Sequence, residues 1–156
     1  MITPVLQSMV YGIYLLTTSD RSNPHAMIVS WVTQLSWDPL RVGVAIRKGR
    51  AAQEIIRRGE NFALHLLSRD ARLDIEVIRA RLKEWKQLES GTIGTGRSGA
   101  PVLPDTMGVL ECRLNEVFDV GDHQFFVGDV IFGELFREGQ ALCTRDHGHN
   151  TYLGQS

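Results

Sequence analysis

Three cations, Arg47, Lys48 and Arg50, stand at the start of a short stretch with helical spacing of apolar residues. Guanidinium and ammonium groups beside the free N–H groups of a helix N-terminus make a phosphate pocket. One strand earlier, the run Met27-Ile28-Val29-Ser30-Trp31-Val32-Thr33 offers main-chain amides, two hydroxyls and an indole. Small and hydroxylated residues on an extended segment suit a flat surface for a planar ligand. Surface first and pocket one strand later fits a molecule that is planar at one end and anionic at the other.

Other chemistry in the chain lacks its context. Gly94-Thr95-Gly96-Arg97-Ser98-Gly99 matches the dinucleotide-binding spacing, which needs a strand before the turn and a helix after it. Here a helix precedes, and Pro101 and Pro104 disfavour one following, so the segment reads as a mobile surface loop. His147 and His149 have no cysteine or carboxylate set to complete a metal site and read as part of a polar tail. Ser30 with His25 or His123 could suggest a hydrolase, but there is no strained G-x-S-x-G elbow, and Ser30 lies inside a strand.

The elements that must position these residues follow from periodicity and punctuation. Residues 11–18 read as a buried strand, and 19–24 as a polar turn. Residues 26–36 read as one extended strand, with Met27, Val29, Trp31, Thr33 and Leu35 on one face. Asp38-Pro39 ends it, and 40–46 form the next. A short helix lies between Gly49 and Gly59, with Gly59 as its cap. Residues 61–67 are a strand. A helix spans about 70–88, with Ile75, Ile78, Leu82 and Trp85 at helical spacing. Over 109–118, Leu110, Cys112, Leu114 and Phe118 alternate inward while Glu111, Arg113 and Asn115 face out. After a turn at 120–123, residues 124–136 form a long strand, with Gly128 and Gly133 marking bends or bulges. Six or seven strands and two helices that do not alternate regularly predict a mainly β fold, a closed or nearly closed antiparallel barrel with peripheral helices.

The 156 residues fit one domain, 1–156. Apolar residues make up 43% and charged residues 22%, ordinary for a globular chain, and the net charge of -1 provides no field for nucleic acid or an anionic membrane. No apolar run is long enough to span a bilayer, and no secretory leader is expected. Cys112 and Cys143 form no paired motif, which fits a reducing cytoplasm.

Four blocks together resemble the flavin reductase-like family, the FMN-binding split β-barrel. They are Ala26 to Gln34 with Asp38-Pro39; Arg47-Lys48-Gly49-Arg50 with the helix after it; Gly99-Ala100-Pro101-Val102-Leu103 with Leu110-Glu111-Cys112-Arg113; and Gly121-Asp122-His123 with Phe126-Val127-Gly128. The chain is most similar to the flavin reductase module at the C-terminus of diflavin flavodiiron proteins, a module also found beside rubredoxin domains. The resemblance implies a homodimer that binds FMN (or FAD) near the subunit interface and takes hydride from NAD(P)H. It implies that the backbone of Met27, Ile28 and Val29 bonds the ring edge, and that Ser30, Trp31 and Thr33 line ring and ribityl chain. Arg47, Lys48 and Arg50 would hold the phosphate, and His123 would sit near the nicotinamide face. The tail around Asn150 and Tyr152 would close over the site.

Two departures stand out. Ala51 and Ala52 occupy the first helical turn where many members carry a hydroxyl, and Trp31 replaces a serine, as in the diflavin-like branch. Each residue also has a plain structural reading: Trp31 as a core aromatic, Ser30 and Thr33 as partners of the backbone, His123 as a turn residue bonded to Asp122, Arg47 and Lys48 as a solvated strand end. Two alternatives to a reductase follow: a flavin-bearing electron carrier for a rubredoxin- or flavodiiron-type partner, and a flavin-free binding module.

Overall fold

Seven strands form one antiparallel sheet whose two edges are consecutive in the chain. The computed structural model describes residues 1–21, 23–71, 74–85 and 94–147. Its elements are α1 (Thr3–Ser8), β1 (Tyr14–Asp20), β2 (Asn23–Val29), β3 (Val32–Trp37), β4 (Leu40–Arg47), α2 (Ala51–Gly59), β5 (Asn61–Leu66), α3 (Ile75–Lys83), β6 (Gly94–Thr95), β7 (Pro101–Val102), β8 (Gly108–Asp119), β9 (His123–Leu135) and a 3₁₀ turn over Thr144–His147. The sheet order is β2-β1-β5-β8-β9-β4-β3. The segment expected as one strand over 26–36 is therefore two. It breaks at Ser30-Trp31, and its halves lie at opposite edges of the sheet.

Curvature reconciles those edges. Met27 and Val29 of β2, Val44 and Ile46 of β4, Phe62 and Leu64 of β5, Cys112 of β8 and Phe126 of β9 share one core, and Val32 of β3 packs on it. Residues from both edges meet in one apolar interior only if the sheet curls on itself. The sheet does not close, so this is a split antiparallel barrel. Ala52 and Ile56 of α2 enter the same interior. A second cluster on the outside joins Leu15 and Ala26 to Ile78, Leu82 and Trp85 of the α3 segment. α2 thus covers the inner face of β2, and α3 its outer face.

Several expectations change in detail. The turn at 19–24 shrinks to its middle, because β1 runs to Asp20 and β2 starts at Asn23. Gly59 is the last helical residue and Glu60, at φ 55°, is the left-handed cap. Gly59 is needed for space: an added Cβ would lie 2.1 Å from the Ser19 carbonyl oxygen. Gly59→Ala should therefore lower stability by about 1–3 kcal/mol, overpacking outweighing better helix propensity. A urea midpoint equal to or above that of the parent would contradict it.

In β8, bulges near Glu111/Cys112 and Leu114/Glu116 shift the register against β9. Leu110 and Cys112 face the interior as expected, whereas Phe118 is exposed. Glu111 lies on the other face, opposite Ala63 of β5, but is buried there beneath the glycine-rich segment rather than wet. The glycine-rich segment is no detached loop: β6 pairs with β7, and the Glu111 carboxylate accepts from the Ser98 N–H (3.0 Å) and hydroxyl (2.9 Å). α3 is shorter than 70–88, and residues 86–88 fall outside the described ones, as do His149, Asn150 and Tyr152. Among the described residues, no helix is long and apolar enough to cross a membrane.

Candidate active site

β2 is an edge strand, hydrogen-bonded only to β1. The Arg79 Nε donates to the Ala26 carbonyl at 3.1 Å, so Ala26 turns its backbone groups to the edge. In an antiparallel ladder those groups alternate in direction. Ile28 therefore also faces the edge, while Met27 and Val29 face β1. Of the three amides expected to meet a ring, Ile28 is the one presented. The side chains of Met27 and Val29 serve the core, each 6% exposed.

Ser30 and Trp31 make the crossing between edges, both half-buried. The Ala45 N–H donates to the Trp31 carbonyl at 2.9 Å and fixes the crossing against β4. Thr33 lies beyond it on β3, exposed, its hydroxyl donating to the Gln34 carbonyl at 3.2 Å.

The Trp31 ring lies 4.7 Å, centroid to centroid, from the imidazole of His123, at 38° between planes. Tyr11 approaches Trp31 from elsewhere, at 6.5 Å. His123 opens β9 directly opposite Arg47 of β4. Its Nδ1 bonds the Asp122 carboxylate at 2.7 Å. That bond, then the charges of His123 and Arg47, hold the Asp122 carboxyl below the usual range. With Asp122 ionised, Nδ1 is the donor and the ring is held in one orientation. His123 is only 4% exposed, so a planar group reaching its face must lie against or displace Trp31.

The three cations separate. Lys48 pairs with Asp119 at 2.5 Å, and its N–H donates to the Asp122 carbonyl at 2.9 Å. It thus belongs to the β8–β9 turn. Gly49, at φ 86°, lets the chain reverse between Lys48 and Arg50. Arg50 is the N-cap of α2, and no side chain caps that terminus. Ala51 is exposed and Ala52 fully buried, so the first turn supplies N–H groups without a hydroxyl. Gln53 ties the turn to β4 by donating to the Ile46 (2.9 Å) and Arg47 (3.1 Å) carbonyls.

The structure thus joins Ser30, Trp31, Arg47 and His123 around one corner of the barrel and sets Lys48, Arg50 and Thr33 on its margins. Tyr11 and Gln53 were missed. Nothing local marks Tyr11, whereas Gln53 carries a usable signal: an amide on the otherwise apolar stripe of Ala52, Ile55 and Ile56.

Relatives are found by sequence and by fold. The chain is 33% identical over 135 residues to an NADPH-flavin oxidoreductase of Streptomyces viridifaciens, covering 84% of this chain and 69% of that one. It is 26% identical over 144 residues to a high molecular weight rubredoxin of Moorella thermoacetica, covering 90% of this chain and 62% of that one. Among solved structures, BorF, the flavin reductase component of a bacterial two-component tryptophan halogenase, superposes with a TM-score of 0.74 at 25% identity over 91% of this chain and 90% of its own. The chain spans only part of several relatives, down to 22% of a Nostoc sp. protein named as a diflavin flavoprotein. A family model described as flavin reductase like domain matches residues 6–150, and with the split barrel and its open β2 edge this chain belongs to that family.

Proposed function

We propose that the chain is a flavin reductase-like domain over 1–156 that uses NAD(P)H to reduce FMN and delivers the electrons to an acceptor. The observation that carries this is the open edge of β2 at the exposed Ile28, three residues before Trp31 and its His123 contact, on a strand whose inner face packs against α2 with its uncapped start. An edge donor and acceptor, an aromatic wall and a cationic helix terminus match the polar rim, ring and phosphate of FMN. FAD shares all three, its ribityl phosphate being part of a pyrophosphate.

A bound flavin supplies the redox chemistry, accepting a hydride equivalent from the nicotinamide. The other roles fall to the chain. Ile28 provides an N–H at the ring edge, where donation stabilises developing negative charge. Trp31 and Ser30 wall the ring and ribityl chain, with Met27 and Val29 holding β2 to the core and Thr33 at the margin. Arg47, Lys48 and Arg50 supply positive charge toward the phosphate, Lys48 by exchanging Asp119. His123, aimed by Asp122, orients the nicotinamide at near-attack distance.

A homodimer fits the exposed apolar residues of the N-terminal segment, Ile2, Val5, Leu6, Met9 and Val10, since α1 buries none of its own residues. A cytoplasmic setting fits two free cysteines, one of them, Cys112, buried with its thiol pushed up to about 12, chiefly by burial.

A second reading is favoured by the similarity to the Moorella rubredoxin: a flavin-bearing carrier that receives electrons from a protein and never meets a nicotinamide. Mixing the FMN-loaded protein anaerobically with NADH or NADPH separates the two. Rapid bleaching of the visible flavin band supports the reductase. Bleaching only by a reduced protein donor supports the carrier. A protein that leaves FMN fluorescence unquenched sinks both.

A further inference from the structure

We propose that Tyr11 is a positioning residue for hydride transfer, steadying the Trp31 ring against His123, and that the segment 140–144 steadies Tyr11 in turn. The part played in hydride transfer rests on the reductase reading above; the clamp itself does not.

Trp31 needs such a support. It lies in the crossing between the two sheet edges, on no strand, and the Ala45 bond fixes its backbone rather than its ring. Two rings flank the indole: His123 at 4.7 Å, which it covers, and Tyr11 at 6.5 Å and 50° between planes. An indole free to change rotamer would cover His123 at one moment and bare it at the next. A second ring beside it removes that freedom, and aromatic pairs favour tilted contacts at such distances.

Tyr11 cannot give this support unaided. Residues 1–10 are all exposed and α1 buries none of its own, so within one chain no packing holds Tyr11 from its N-terminal side. β1 begins only at Tyr14. Thr144, 8% exposed, supplies the anchor. The Tyr11 N–H donates to the Thr144 hydroxyl at 3.0 Å, and the Thr144 N–H donates to the Tyr11 carbonyl at 2.8 Å. Both backbone groups of one residue thus go to one partner from the far end of the chain. The Ile13 N–H extends the pairing by donating to the Leu142 carbonyl at 3.0 Å. On its other side the same segment bonds the end of β5, through Leu142 N–H to the Leu67 carbonyl (2.8 Å) and Arg69 N–H to the Gln140 carbonyl (2.7 Å). Arg69 also pairs with Asp146 at 3.0 Å, and Asp146 accepts from the Cys143 N–H at 3.0 Å. Residues 140–144 are therefore a strip tied on both sides. It carries the rigidity of the sheet to a residue that the sheet itself does not reach.

The ring of Tyr11 is the part that matters. Its hydroxyl donates only to the Met9 sulfur, at 3.3 Å, a weak acceptor on an exposed side chain. Phenylalanine should therefore replace Tyr11 without loss, and serine should replace Thr144. Leucine at 11 removes the ring, and valine at 144 removes the hydroxyl while keeping its volume.

The test labels the protein with fluorotryptophan, assigns the Trp31 fluorine NMR signal by its loss in Trp31→Leu, and measures anaerobic stopped-flow reduction of bound FMN by NADH and NADPH. Tyr11→Leu and Thr144→Val should each shift or broaden the Trp31 signal. Each should slow flavin reduction about tenfold at saturating nicotinamide, a loss of alignment, with the FMN Kd within about threefold of the parent. Tyr11→Phe and Thr144→Ser should keep the parent's signal and rate. In a Trp31→Leu background, Tyr11→Leu should cost nothing further, because it acts through that ring. A Trp31 signal unmoved by Tyr11→Leu would overturn the clamp. Losses that add to those of Trp31→Leu, or that Tyr11→Phe fails to restore, would overturn the positioning role. A signal that moves as expected in a protein whose FMN neither nicotinamide reduces would keep the clamp and remove both the reductase reading and the part in hydride transfer.

Discussion

His123→Ala should slow the reduction of bound flavin by NADH or NADPH about 100-fold while leaving the FMN Kd within about threefold of the parent, the cost of losing alignment rather than binding. The expectation rests on how firmly the imidazole is held. Asp122 fixes Nδ1 at 2.7 Å, the β4–β9 ladder fixes the backbone opposite Arg47, and Trp31 covers the ring at 4.7 Å. A ring so constrained can set the angle of a stacked nicotinamide, and alanine cannot. Asp122→Asn should give a smaller loss of the same kind, because it loosens the ring without removing it. Stopped-flow bleaching under anaerobic conditions reads the rate, and fluorescence quenching reads the Kd. An unchanged bleaching rate in a folded, FMN-loaded His123→Ala protein would remove His123 from the reaction. A parallel collapse of FMN affinity would assign it to packing against Trp31 instead.

How much of this was legible beforehand depended on where the hydrophobic period survives a change in topology. β4, α2, β5 and β9 fall within a residue or two of their expected spans, because turn residues bracket them and their periods are unbroken. The break at Ser30-Trp31 was invisible for the opposite reason. Val29 and Val32 pack in the same interior from opposite edges, so the apolar pattern continues while hydrogen-bonding partners change completely. In β8 an unbroken alternation puts Phe118 inward, but the bulge near Leu114/Glu116 shifts the phase, so Val117 meets the core and Phe118 is exposed.

The candidate site shows the same limit. The run Arg47-Lys48-Gly49-Arg50 looks like one cluster, and the glycine within it is what separates the cations. Lys48 then answers to Asp119, and Arg50 becomes the N-cap of α2. Arg79 reaches the Ala26 carbonyl at the edge of β2 only because α3 packs on the outer face of that strand. No local pattern encodes that convergence. His123 and Trp31 came from resemblance; their stacking came from the crossing between edges.

Acid should destabilise the fold well before its carboxylates titrate, by about 3 kcal/mol between pH 6.5 and 4. The group responsible is His65, fully buried on β5. Its Nδ1 donates to the Leu15 carbonyl at 3.2 Å, and its Nε2 accepts from the Leu103 N–H at 3.0 Å. That second bond requires an unprotonated Nε2, so the imidazole is neutral and joins β5, β1 and the segment after β7. Burial brings its pKa to about 4 against the opposing pull of the Leu15 carbonyl, Glu111 and Asp105. The unfolded chain, with an ordinary histidine pKa near 6.5, binds the proton first. The contribution is therefore complete above pH 6.5, falls as pH drops through that value, and is gone below about 4. Asp122 and Asp129, whose carboxyls are held low by His123 and Arg41 respectively, lose their contributions only at more acid pH. His25 is depressed in the same direction, so the measurement is made on His25→Gln as well as the parent. Urea midpoints should decline steadily from pH 7 to 4.5 in both proteins. A flat profile over that range would mean that His65 takes up its proton in the folded chain as readily as in the unfolded one, which the Leu103 bond to Nε2 forbids, and the neutral bridge would have to be abandoned.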